Sequence, residues 1–199
     1  MKREKIRRSP FNLIRVFSQF ILYLTGWRTR SANIDFPKYI LIGAPHTSNW
    51  DFVIGYMAMS AIGLKLKWIG KHTLFRGPMG WVLHRMGGIP VNRNLSKNFV
   101  DQVVTSFNEY EQQIVAIAPE GTRKHAKHWK SGFYYIALKA EIPIVFGFVD
   151  YGRRLAGTGG FLIPSGQLDK DLLKLREFYE KITPKFPENF GKIQLPKKK

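Results

Sequence analysis

A histidine and an aspartate stand five positions apart in "GAPHTSNWDF", residues 43–52, directly after a short apolar run. An ideal helix turns so that side chains five apart point about 140° away from each other, so His46 and Asp51 cannot pair from within one helix. His46 must precede the helix. With Ser48 as N-cap, Asp51 takes the acidic third position of a capping box, and the turn before it can fold His46 over the helix mouth. A bare capping box and an acid–base pair therefore share one geometry. In the second reading Asp51 fixes the tautomer of the imidazole and stabilises its protonated form, while the other ring nitrogen takes a proton from a hydroxyl. No enzyme serine accompanies the pair, so the substrate must bring the nucleophile.

Positive groups recur beside predicted strand ends. "APEGTRKHAKHWKSG" (118–132) carries Glu120, Gly121, Thr122 and Arg123, followed by Lys124, Lys127 and Lys130. A glycine lets backbone approach a ligand closely, and an arginine holds a phosphate through two parallel hydrogen bonds, so this loop suits an anion. "GGIPVNR" ends in Arg93 and "GKHTLFRGPMG" contains Lys71. His125 and His128, in "HAKH", lie among lysines without a carboxylate cluster and read as loop residues rather than metal ligands. His72 and His84 lack an acidic neighbour and read as structural.

The elements that must position these groups follow from apolar spacing. Continuous runs at 39–44, 66–71, 87–93, 114–119 and 142–151 predict strands covered on both faces. Helices are expected from Ser48 to about Ile62, from Ser96 to about Gln113 and from Ser131 to about Glu141. A late strand in 157–166 and a surface helix over 169–182 complete the series. The alternation gives an α/β fold, a single domain with a mixed, largely parallel central sheet flanked by helices. His46 then follows the carboxyl end of a buried strand, where open α/β sheets place ligands. Residues 11–24 carry apolar side chains at 13, 14, 17, 20, 21 and 24, with Asn12, Arg15, Ser18 and Gln19 between, which predicts an N-terminal amphipathic helix. The expected division is a basic leader with this helix at 1–30 and the α/β domain at 31–199.

Composition bounds the partners. In 199 residues, 32 Lys and Arg face 14 Asp and Glu, a net charge of +18 that favours anionic partners. The absence of cysteine excludes disulfides, thiolate metal sites and a cysteine nucleophile. No apolar run reaches the roughly 20 residues that span a bilayer, and the basic start argues against a cleaved signal peptide. Trp27, Trp68, Trp81 and Trp129 with the basic charge leave nucleic-acid binding as an alternative class, but no nucleic-acid motif accompanies them. Hydrolase elbows and Walker loops are also missing from the sequence.

Taken together, "HTSNWD", "GGIPVNR", "PEGTR" and "IPIV" resemble, in order, the four blocks of the glycerolipid acyltransferase family, typified by the 1-acylglycerol-3-phosphate acyltransferases. The likeness covers roughly residues 38–150. It implies that His46 is the general base and Asp51 its orienter, that Arg93 and Arg123 hold the acceptor phosphate with Lys71 as a further partner, and that Glu120, Gly121 and Thr122 belong to the acceptor pocket. It also implies an O-acyltransferase without a bound cofactor. The donor is an acyl thioester, either acyl-coenzyme A or an acyl-carrier protein, and the acceptor a lysophospholipid, 1-acylglycerol-3-phosphate by default. The family's insoluble product suits a peripheral or monotopic protein on the cytoplasmic face of an anionic membrane. Pro45, Asn92 and Phe146 depart from the family's common Asn, Asp and Pro, which leaves the acceptor open to another lipid. A non-catalytic lipid-binding relative is a further alternative, opposed by the intact His46, Asp51 and Glu120.

Overall fold

The computed structural model describes residues 13–91 and 99–195. Among these residues six α-helices and seven strands follow in the order α1 (Leu13–Leu24), β1 (Arg28–Arg30), β2 (Lys38–Gly43), α2 (Asn49–Ala61), β3 (Lys67–Lys71), α3 (Gly77–Arg85), β4 (Gly88–Val91), α4 (Phe99–Glu109), β5 (Gln113–Ile117), α5 (Gly132–Lys139), β6 (Ile144–Asp150), β7 (Leu155–Leu162) and α6 (Leu168–Tyr179). The strands form one sheet in the order β1-β7-β6-β2-β5-β3-β4. All neighbours are parallel except β6 and β7. The fold is thus the expected α/β one, with a mixed, mostly parallel sheet between helices.

Connection handedness sorts the helices. β2 to β3 and β3 to β4 both step toward the β4 edge, and right-handed crossovers place α2 and α3 on one face; β4 to β5 and β5 to β6 step back and place α4 and α5 on the other. The side chains of β2 and β6 obey the same division through their two-residue period. Ile40, Ile42, Ile144, Phe146 and Phe148 join Phe107, Phe133, Ile136, Leu175 and Tyr179 of α4, α5 and α6 in the larger core. Tyr39, Leu41 and Val145 meet Met59 of α2 on the opposite face, where Ile54, Ala58 and Ala61 also pack on Leu22 of α1. All seven residues of β6 are buried, which explains its unbroken apolar run. Truncating such a residue, for instance Ile144→Ala, is expected to cost about 2–5 kcal/mol.

The expected elements shift modestly at their ends. Ser48 caps α2 with both halves of a capping box formed. Ser131 precedes α5 but makes no side-chain cap, because its own backbone is already helical. The helix expected to reach Gln113 stops at Glu109, since Gln113 is already paired with Lys38 in the sheet. Its expected start at Ser96 lies outside the described residues. β1 and α3 had no counterpart in the apolar pattern: β1 is an exposed three-residue strand, and α3 buries only Gly80.

Helix α1 is turned opposite to the usual amphipathic arrangement. The face toward the protein carries buried Ser18 and Leu22, while Arg15 Nε and the Gln19 amide donate to the carbonyl of Ala61 at 3.2 and 3.0 Å. Ala61 is the last residue of α2, so these donors satisfy a carbonyl at that helix's end. The apolar side chains Leu13, Phe17, Phe20, Tyr23 and Leu24 point to solvent, Phe17 62 % and Tyr23 80 % exposed. No helix among the described residues is long and apolar enough to cross a membrane.

Candidate active site

Because β2, β3, β4, β5 and β6 all run parallel, their carboxyl ends lie along one edge of the sheet. The segment 44–48 leaves β2 there, 118–123 leaves β5, and Tyr151 leaves β6. The site is built where these three segments meet.

Asp51 is fixed first. Its Oδ2 accepts the backbone N–H groups of Thr47 at 2.6 Å and Ser48 at 2.7 Å, and Ser48 Oγ accepts from Trp50 N–H at 3.2 Å. The carboxylate thereby closes the capping box and folds the preceding turn back over the helix start. In that turn His46 Nδ1 lies 3.6 Å from Asp51 Oδ2, with the imidazole 24 % accessible and the aspartate buried. The separation is longer than a hydrogen bond. The turn thus brings His46 and Asp51 together, with the imidazole open to solvent and the carboxylate enclosed.

Two residues reach His46 and Asp51 from distant parts of the chain. The Tyr151 hydroxyl donates to Asp51 Oδ1 at 2.8 Å. Burial, reinforced by the Asp51 hydrogen bond and charge, pushes this phenol well above its usual range, so it stays a donor. Its ring meets Trp27 edge-on at 5.2 Å between centroids. Glu120, buried at the end of the β5 segment, accepts the backbone N–H of His46 on its two oxygens at 3.1 and 3.0 Å. Burial pushes the Glu120 carboxyl up to about 8, with the charge of Asp51 adding to the shift and the His46 N–H opposing it. Beneath them the buried Tyr179 hydroxyl donates to the carbonyl of Gly147 at 3.1 Å.

The basic loop reaches the same place. Arg123 hydrogen-bonds through its guanidinium to the side chain of Asn49, in the first turn of α2, two residues before Asp51. Gly121 has φ +66°, a conformation that favours glycine, and a Cβ there would meet the Lys130 side chain at 2.9 Å. Thr122 Oγ1 accepts from Lys124 N–H at 3.2 Å, which shapes the loop itself. Lys71 ends β3 on the same edge, exposed, two strands from β2 and so about 10 Å to the side. Arg93 lies outside the described residues. His125 and His128 are exposed in the loop, and no group of three metal-ligating side chains occurs among the described residues.

One cation escaped the sequence reading. Lys185 Nζ lies 5.4 Å from the Trp50 ring and 5.9 Å from that of Tyr151, and the N–H of the next residue, Phe186, donates to Thr47 Oγ1 at 3.2 Å. The segment after α6 is thus pinned to the histidine loop. Neither Lys185 nor Tyr151 carries a local signal, since each meets the site only through tertiary contact.

The described fold is similar to the crystal structure of the 1-acyl-sn-glycerophosphate (LPA) acyltransferase PlsC from Thermotoga maritima, with a TM-score of 0.53 and 15 % identity over 84 % of this chain and 74 % of that one. No curated protein matches the chain in sequence. The family profile described as Acyltransferase matches residues 30–146, which include the His46 turn, Asp51, Lys71 and the whole 118–123 segment. With that profile spanning more than half its length, the chain belongs to the acyltransferase family.

Proposed function

We propose that the protein transfers a fatty acyl group from an acyl thioester to the hydroxyl of a lysophospholipid, with 1-acylglycerol-3-phosphate as the first acceptor to test. The observation that carries this reading is the solvent-reachable His46 imidazole held 3.6 Å from a buried Asp51, next to an arginine tied to the same helix turn.

In this mechanism His46 takes the acceptor's hydroxyl proton on Nε2 while Asp51 faces Nδ1. The oxygen attacks the thioester carbonyl carbon, and the tetrahedral species collapses with cleavage of the C–S bond. The departing thiolate recovers the proton from the imidazolium, so no acyl group is ever attached to the enzyme. General-base help is worth roughly 10² to 10⁴-fold, and holding both substrates in place contributes more. Glu120 positions the His46 backbone and Tyr151 the Asp51 carboxylate. Arg123 and Arg93, with Lys71 and Lys185 as further cations, hold the acceptor phosphate. The donor is acyl-coenzyme A or an acyl-carrier protein.

The reading also places the protein on an anionic membrane surface as a peripheral or monotopic protein of the cytoplasmic face. Support comes from α1, which docks through Arg15, Ser18, Gln19 and Leu22 and offers Leu13, Phe17, Phe20, Tyr23 and Leu24 outward. At 12 residues the helix is about 18 Å long, suited to lying in the interface rather than crossing it.

The test is a panel of lyso-lipid acceptors offered with acyl-coenzyme A and with acyl-carrier protein, followed by mass spectrometry of the lipid product. Acylated lysophosphatidate with release of free thiol is expected. Thiol release with no acylated lipid of any kind, or no turnover of any donor, overturns the proposal.

A further inference from the structure

The corner formed by the 3-10 turn His72–Phe75 and helix α3 leaves large apolar side chains uncovered for a structural reason. Gly80 is the residue of α3 that packs inward, and a Cβ at that position would lie 2.2 Å from the Phe75 carbonyl oxygen. The helix is therefore seated by its glycine. Met79, Trp81 and Val82, beside it, are driven outward, with Trp81 71 % and Met79 62 % exposed, and Leu74 of the preceding turn is exposed as well.

This corner is firmly joined to the catalytic side of the molecule. Phe52, the residue after Asp51, meets Trp68 of β3 at 4.5 Å between ring centroids; Trp68 stacks on Phe75 at 5.5 Å, and Phe75 meets His84 of α3 at 4.8 Å. Crossover handedness puts α3 on the same face of the sheet as α2, and α1 packs on α2. Exposed Trp50 and Val53 of α2 belong to that face too. In the sequence, the 49 residues from Phe52 to Val100 include seven Lys and Arg and no Asp or Glu. Lys71, Arg76 and Arg85 are the exposed cations around the apolar corner.

We infer that the 3-10 turn and α3 form a second membrane contact, in which Leu74, Met79, Trp81 and Val82 enter an anionic lipid interface while Lys71, Arg76 and Arg85 meet its headgroups. The inference rests on the membrane contact proposed for α1 and not on the acyl-transfer chemistry. Apolar side chains in a segment that carries exposed cations and no acids match an anionic lipid surface, and tryptophan favours the interfacial layer. A second contact away from α1 has a consequence that α1 alone lacks. One helix lying in the interface leaves the domain free to roll about that helix's axis, whereas two non-collinear contacts fix the plane. The His46 turn, beside exposed Trp50, then opens toward the headgroup layer in which an amphipathic acceptor lies.

Because the chain has no cysteine, single substitutions give unique spin-label sites. Nitroxides on Val82→Cys, Phe20→Cys and, on α6 at the opposite face, Leu173→Cys are read in the full chain with mixed phosphatidylcholine–phosphatidylglycerol vesicles. The labels at 82 and 20 are expected to become accessible to oxygen and shielded from an aqueous nickel chelate, while the label at 173 stays aqueous. The paired change Met79→Ser with Trp81→Ser is expected to lower vesicle partitioning about tenfold. It should leave turnover of a water-soluble short-chain thioester and acceptor unchanged. A label at 82 that remains aqueous while the one at 20 is immersed overturns the inference, as do undiminished partitioning of the paired variant and absence of vesicle binding by the unaltered chain. Immersion at 82 in a chain that turns over no thioester keeps this inference and removes the transferase reading.

Discussion

Tyr151 donates a 2.8 Å hydrogen bond to the carboxylate of Asp51 across one hundred residues of sequence. The two remaining acceptor contacts of that carboxylate, from Thr47 and Ser48, are to the other oxygen, so the phenol is what holds Oδ1. Tyr151→Phe is expected to lower kcat about tenfold with KM for both substrates unchanged, and to cost about 1 kcal/mol of stability. Steady-state kinetics and a denaturation midpoint on the same preparation check it. An equal loss through KM would assign Tyr151 to substrate binding instead.

His46 and Asp51 should separate in their effects on folding. His46→Ala removes the base, an expected loss of about 10² to 10⁴-fold in kcat, with stability within about 0.5 kcal/mol of the original because the ring is partly exposed. Asp51→Ala should lose comparable activity and also about 1–2 kcal/mol, since the carboxylate closes the capping box. Thiol-release rates and unfolding curves for the two variants make the comparison.

The cations near the dyad should act on binding. Arg123→Ala and Lys185→Met are each expected to raise KM for a phosphorylated acceptor about tenfold while leaving KM for the acyl donor alone. The same substitutions should matter little with an acceptor that lacks phosphate. A uniform loss with both acceptors would show that they shape the loop rather than hold the anion.

Glu120 carries a pH dependence with a defined sign. Burial lifts its carboxyl from 4.5 to about 8, so across that window the folded chain keeps a proton that the unfolded chain has released. The contribution to stability is fully present below the unfolded value and is lost as pH rises through the folded one, with a slope of up to about 1.4 kcal/mol per pH unit. Glu120→Gln retains an acceptor for the His46 N–H and removes the titration. Its stability should therefore fall less than that of the unaltered chain between these limits, as measured by denaturant midpoints at a series of pH values.

The exposed face of α1 should govern vesicle binding. Phe17→Ser with Phe20→Ser is expected to reduce sedimentation with anionic vesicles at least tenfold, roughly the effect of losing two partly buried aromatic side chains. Binding by the unaltered chain should weaken as salt is added, because the Lys and Arg contribution is screened. Unchanged sedimentation of the variant would remove α1 from the membrane contact.

Several features of this protein are already decided by local sequence. The Ser48–Asp51 capping box lies within one helical turn, so its residue types and spacing specify it without help from elsewhere. The same spacing puts His46 before the helix and lets the turn fold it over the helix mouth. Apolar runs such as 39–44 and 142–151 read as strands because burial on both faces leaves no polar interruption, and residues following such strands fall at one edge once the sheet is parallel. Other features depend on contacts between segments far apart, which leave no period to read. β1 is three polar residues that are a strand only because β7 offers them hydrogen bonds. The hold of Glu120 on the His46 backbone, the reach of Tyr151 to Asp51 and the place of Lys185 beside Trp50 exist only after the sheet has assembled. The amphipathic pattern of α1 defined its two faces but not which one turns inward. In the fold, the inward face carries Leu22, packed on α2, together with Arg15 and Gln19 on the Ala61 carbonyl, and leaves Leu13, Phe17, Phe20, Tyr23 and Leu24 exposed.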